Sequence, residues 1–186
     1  MRLQTKTQLI FHSAYGSYAG ALAQWAKHEW QVYSTFFILN DGQLIQLVDS
    51  SFHACANSTA NARAVSVETE DGGNPDRFPW TPAQLNTMIL LAQWVHEEHG
   101  VPLSLCARHD RPGIGIHTMW GNLGPFSPWI DDSALTCPGL ARIPQFFEEL
   151  MPKLGCKLRG SEVEELWARW SERPPFFNEP STRGYP

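Results

Sequence analysis

The chain has 186 residues, a net charge of −5, 42% hydrophobic residues and eight Trp. That supply of apolar side chains supports one domain with a real core and excludes a disordered chain. The negative balance, with no basic run, excludes a nucleic-acid-binding surface, and no stretch is apolar for long enough to insert directly into a membrane. Four Cys, at 55, 106, 137 and 156, show neither CxxC spacing nor the density of a disulfide framework. Free thiols in a reducing cytoplasm are therefore expected. Residues 1–6 lack the apolar core of a signal peptide, so synthesis in the cytoplasm without one is also expected.

In chain order, residues 7–13 read as a buried strand that emerges at His12. Residues 18–30 read as a helix with Leu22, Trp25 and Ala26 on one face. Residues 33–48 form a hairpin around Asn40-Asp41-Gly42, with Thr35 the polar member of its first strand. The small-residue stretch Phe52-His53-Ala54-Cys55-Ala56-Asn57 reads as a loop. His53 and Asn57 either line a polar cleft or serve local hydrogen bonds.

Residues 61–69 read as an internal strand with Val65 and Val67 on one side and Ser66 and Glu68 on the other. Glu68 stands at the C-terminal end, where open α/β sheets place ligand crevices. It is either a solvated edge charge or a general base. Thr81-Pro82 opens a helix to about Glu98, with Leu85, Met88, Ile89, Ala92 and Val95 as its buried stripe. His96 and His99 are three apart, not the four of the zinc-protease motif, and read as a solvated helix end.

A short strand over 103–105 and a polar loop with His109 follow, then Gly113-Ile114-Gly115-Ile116-His117. The aromatics of the next loop, Trp120, Phe126 and Trp129, either wall a cleft or pack the loop itself. Leu135-Thr136-Cys137-Pro138-Gly139 then joins a fixed φ to a residue that tolerates close approach, so the Cys137 thiol is rigidly held. Alone, Cys137 reads as a small buried hydrophobe. With His12 and His117 it completes a sufficient ligand set for a catalytic zinc with one open position. His109 is the alternative to His117. A closed structural zinc would need a fourth ligand, His109 or Cys106. Residues 142–150 read as a helix packed through Ile143, Phe146, Phe147 and Leu150. Ser161–Ser171 reads as another, and the tail to Pro186 has no periodicity.

The series formed by His12 after the first strand, the Asp-Gly hairpin, His53-Ala54, Val65-Ser66-Val67-Glu68-Thr69, Gly113–His117 and Thr136-Cys137-Pro138-Gly139 resembles the zinc-dependent N-acetylmuramoyl-L-alanine amidases. That family shares its fold with the peptidoglycan recognition proteins, and the likeness is greatest to endolysin amidase domains of actinobacterial phages. It covers roughly residues 7–152. It implies an α/β single domain with a central mixed β-sheet flanked by helices on both faces, and a zinc in a groove. Residues 1–155 would be the catalytic domain and 156–186 a helix and Pro-rich tail packed on it.

On this resemblance the zinc ligands fall on His12, His117 and Cys137 and the catalytic Glu on Glu68; His53, Asn57 and Trp120, from their loops, are the expected substrate-binding residues. The implied activity is hydrolysis of the amide between N-acetylmuramic acid and L-alanine. The alternative is a peptidoglycan-binding recognition module that does not cut. Two departures stand out: Leu135 where some members carry Lys, and Ser34 and Thr35 where many carry Tyr or His. With Leu135 in place of Lys, the zinc itself, Thr35 or a backbone NH would have to stabilise the oxyanion. Bacterial peptidoglycan is the expected partner of a monomer that acts on the wall after release. If the chain is phage-encoded, a holin-type partner is expected to provide that release.

Overall fold

The computed structural model describes residues 5–27, 33–57, 60–106, 110–120 and 137–156. Its five strands are β1 (Gln8–Ser13), β2 (Phe36–Ile38), β3 (Leu44–Gln46), β4 (Ala64–Thr69) and β5 (Gly113–Ile116). They lie in the order β3-β2-β4-β1-β5. β1 pairs in parallel with β4 and β5, β2 in parallel with β4, and β3 closes one edge antiparallel to β2. β1 is flanked on both edges and all six of its residues are buried, with the apolar run Leu9-Ile10-Phe11 between polar Gln8 and the polar pair His12-Ser13.

The register sets which side chains meet. His12 pairs with Glu68, Phe37 also pairs with Glu68, and Phe11 pairs with Ile116. His117 follows Ile116 and so comes level with His12. Successive side chains alternate between faces. His12, Glu68 and His117 therefore share one face of the sheet at one height. Leu9, Phe11, Val65, Val67, Ile114 and Ile116 occupy the other face and belong to the hydrophobic core.

That core is closed by α2 (Pro82–His99) and by the C-terminal run. α2 opens on the expected signal: Thr81 caps Gln84 N, Gln84 caps back, and Pro82 takes the first position. It ends at Gly100, whose φ of 72° only glycine adopts without strain. Its buried residues are Gln84, Leu85, Met88, Leu91, Ala92 and Val95, so Leu91 joins the expected stripe and Ile89 lies at its margin. The rings of His96 and His99 are bonded rather than merely solvated, to Val101 O at 2.8 Å and Ser50 Oγ at 2.9 Å. The C-terminal run comprises α3 (Arg142–Gln145), a π-helical stretch (Phe146–Leu150) and α4 (Met151–Lys153). Ile143, Phe146, Phe147 and Leu150 are buried as expected.

α1 (Tyr18–Trp25) covers the other face, capped by Ser17. Tyr18 and Trp25 pack edge-on against Phe37 at 5.0 and 6.2 Å between centroids. The expected stripe is corrected here. Ala21 is buried and Leu22 is 40% exposed, because the contact face runs through Tyr18, Ala21 and Trp25. The strand expected over 103–105 reduces to one bridge, Leu105 to Ile114. Gly113 permits that approach, since a Cβ there would stand 2.7 Å from Ser104 O. His28, Trp30, His109, Phe126, Trp129, Leu135, the helix Ser161–Ser171 and the tail lie outside the described residues, as does the Trp120 side chain.

Candidate functional site

Three elements deliver the donors. β1 carries His12, the end of β5 carries His117, and the turn before α3 carries Cys137. One ligand atom of each lies within 4.8 Å of the others. The His12 and His117 rings are tilted by 55° at 4.5 Å between centroids. Cys137 Sγ is 3.8 Å from His12 Nδ1. A tetrahedral zinc with ordinary Zn–S and Zn–N lengths would set that edge at about 3.6 Å, close to the spacing of Cys137 and His12.

The Cys137 turn is held by close backbone packing. Gly139 has φ 118°, and a Cβ on it would stand 2.4 Å from the Pro75 carbonyl oxygen. Leu140 N donates to Asp76 Oδ1 at 2.9 Å, and Thr118 N to the Cys137 carbonyl at 2.8 Å. The turn is thereby tied both to the 71–76 loop and to the segment that carries His117.

The electrostatics favour a cation. Burial holds His117 down to about 4 and His12 well below the ordinary histidine value, the latter aided by His117 beside it. Both rings are thus neutral donors at physiological pH. Burial, with Glu68 second, pushes the Cys137 thiol well up. The Ser13 amide, 3.4 Å from its sulfur, and the Arg142 guanidinium act the other way, toward thiolate. Glu68 keeps some surface, yet its Oε2 is sealed from solvent and has no hydrogen-bond partner among the described residues. Burial and the Asp71 charge raise its carboxyl to about 8 against the pull of Arg142. A buried, unpaired carboxylate oxygen is costly unless something else satisfies it.

Behind the donors lies a network that sequence reasoning missed. The Arg142 side chain is 1% exposed. Its Nε donates to Phe78 O at 3.0 Å, one terminal nitrogen to Ser13 Oγ at 3.3 Å and Thr69 Oγ1 at 2.8 Å, and the other to Glu70 O at 2.9 Å. Asp71 accepts from the Ser13 hydroxyl, from Tyr15 N at 2.7 Å and from Gly73 N at 2.6 Å. Tyr15 is held at φ 52°, an uncommon conformation for a side-chain-bearing residue. A signal existed: Arg142 falls on the buried side of an apolar helix, where a lone cation needs a purpose.

The remaining expected residues have separate places. Asn57 is fully buried behind His12, not on a cleft wall. Its Oδ1 is 2.8 Å from His12 Nε2, and its amide nitrogen donates to Ser66 Oγ. Thr35 is fully buried, and its oxygen accepts from Ser66 N at 3.3 Å. His53 is exposed, and its carbonyl accepts from the Tyr33 hydroxyl at 3.2 Å. Cys106 is bonded to Arg111 O at 2.9 Å and stands outside the donor group.

Solved structures resemble this fold at low sequence identity. The N-acetylmuramoyl-L-alanine amidase LysC from Clostridium intestinale URNW matches 84% of this chain and 92% of its own, with TM-score 0.59 and 19% identity. Drosophila peptidoglycan recognition protein SA matches 79% and 82%, with TM-score 0.57 and 14% identity. The E. coli amidase AmiD, solved with anhydro-N-acetylmuramic acid-L-Ala-D-γ-Glu-L-Lys, matches 63% and 50%, with TM-score 0.51 and 17% identity. No curated protein matches the chain significantly by sequence. Residues 3–139 match the family described as N-acetylmuramoyl-L-alanine amidase. The chain belongs to the N-acetylmuramoyl-L-alanine amidase family.

Proposed function

We propose that the chain is a zinc-dependent, endolysin-like peptidoglycan hydrolase that cuts the amide between N-acetylmuramic acid and the L-alanine of the stem peptide. The observation that carries this reading is the grouping of His12, His117 and Cys137 within 4.8 Å, beside Glu68 Oε2, which has no hydrogen-bond partner among the described residues. His12, His117 and Cys137 would hold the ion, leaving a position open. A zinc there supplies acidified water and a Lewis acid for the scissile carbonyl.

With a cation held beside it, Glu68 would lose the proton that the metal-free fold keeps up to about pH 8. The ionised Glu68 carboxylate would then take a proton from the attacking water and return it to the departing L-alanine nitrogen. The new C–O bond forms at the carbonyl carbon first, the C–N bond breaks once its nitrogen is protonated, and the products are a muramic carboxylate and a free amine. The low ordinary titration of both buried imidazoles keeps them as donors rather than acids. His53 and Trp120 are assigned to the approach of the glycan or peptide. Thr35 supports the sheet through Ser66.

We take residues 1–155 as the catalytic unit and 156–186 as its appendage. Bacterial peptidoglycan is the substrate, met by a monomer after release from the cell that makes it. If that cell is a phage host, a holin-type partner serves the release. The test is digestion of purified actinobacterial peptidoglycan with and without a zinc chelator, read by mass spectrometry. Chelator-sensitive release of stem peptides with a free L-alanine amine is the expected result. Wall binding without release would instead support a recognition module.

A further inference from the structure

Neutral histidine carries its one ring proton on either nitrogen, and only the bare nitrogen can ligate a metal. In His12 the two nitrogens face different partners. Nδ1 points toward Cys137 Sγ at 3.8 Å, while Nε2 lies 2.8 Å from Asn57 Oδ1. Asn57 is in turn fixed from several sides. Its amide nitrogen donates to Ser66 Oγ on the adjacent strand β4. Its backbone nitrogen donates to Asn61 Oδ1 at 2.6 Å, and its carbonyl accepts from Ala60 N at 2.9 Å. The side chain is fully buried, so water cannot replace either amide contact.

We infer that Asn57 is a positioning residue that locks His12 in the Nε2–H tautomer and leaves Nδ1 bare toward Cys137. This rests on the zinc reading given above. Were the amide reversed, its NH2 would face Nε2 and force the proton onto Nδ1, which would close the donor group. In the structure Ser66 Oγ takes up the amide nitrogen, and the oxygen is the end that faces His12. A carboxylate at position 57 would orient the ring equally, but would add negative charge to a site that already brings a thiolate and Glu68. The neutral amide orients without that charge. Outer-shell partners of this kind orient metal-ligating histidines and govern affinity.

Two measurements decide it. In metal-free, 15N-histidine-labelled protein, long-range 15N–1H correlations should report His12 as the Nε2–H tautomer. A dominant Nδ1–H tautomer would overturn the inference whether or not the protein binds zinc. Zinc affinity, by competition with a chromogenic chelator, should fall about tenfold to a hundredfold in Asn57→Leu, the usual range for such partners. Ser66→Ala cuts only the far arm and should weaken zinc less than Asn57→Leu does. Asn57→Asp keeps the acceptor and should bind zinc no more weakly than the parent. Parent-like affinity in Asn57→Leu would overturn the positioning role. If Asn57→Leu does not fold, loss of affinity in Asn57→Asp would do the same. A parent protein that binds no zinc would refute the metal reading, while the tautomer measurement would still judge Asn57.

Discussion

Glu68→Gln should raise the stability of the metal-free protein while destroying its activity. The Glu68 carboxyl sits at about 8 in the fold against an ordinary 4.5. Between those values the folded chain holds a proton that the unfolded chain has released. Stability therefore falls as pH rises from about 4.5 to 8, and the loss is complete above that window. At 1.36 kcal/mol per pKa unit the shift amounts to on the order of 4–5 kcal/mol by pH 8, an upper bound because a carboxylate that recruits water loses less. Gln has nearly the same shape and no charge, so the slope contributed by this group disappears. Urea denaturation of both proteins at pH 5 and pH 8, with a chelator present, reads the difference directly. The parent should lose several kcal/mol between the two values relative to the variant. Turnover of zinc-loaded Glu68→Gln should drop at least about a hundredfold, the scale of a general acid–base group, with zinc retained. Equal pH slopes in the two proteins, or near-normal turnover, would refute the reasoning.

Cys137→Ser should sharply weaken zinc binding by metal analysis, and full stoichiometric zinc would move the ligand role elsewhere. Arg142→Met leaves Ser13, Thr69, Phe78 and Glu70 without their donor, so it should cost at least about 3 kcal/mol in urea denaturation; a cost under about 1 kcal/mol would deny the network its structural role. Thr35→Val should lower turnover by less than about tenfold, because an oxyanion donor costs a hundredfold or more; a loss of that larger size would return Thr35 to the reacting groups.

The parts of the fold legible in the sequence are those with local rules. The Asp41-Gly42 turn, the Thr81-Pro82 helix start and the alternation of Val65 and Val67 against Ser66 and Glu68 each follow from neighbours in the chain. The strand order is less local. It brings Glu68 opposite His12 only because β4 inserts between β1 and β2. Leu22 misleads because a short helix touches the sheet through Tyr18 and Trp25, and those contacts set its rotation. Asn57 was legible as polar and close to a small-residue loop. Its burial behind His12 was not, because the partners His12 and Ser66 lie 45 and nine residues away. Arg142 and Asp71 belong to the same class: a cation among apolar helix residues and an acid in a Gly-rich loop acquire meaning only once both reach Ser13.

The proposed function stands on an open zinc site built from one thiolate and two imidazoles. X-ray absorption at the zinc edge of the zinc-loaded protein tests it most directly. One sulfur at about 2.3 Å and lighter N/O neighbours at about 2.0 Å are expected, with the sulfur lost in Cys137→Ser. A site with no sulfur, or with two sulfurs that include Cys106, would contradict it.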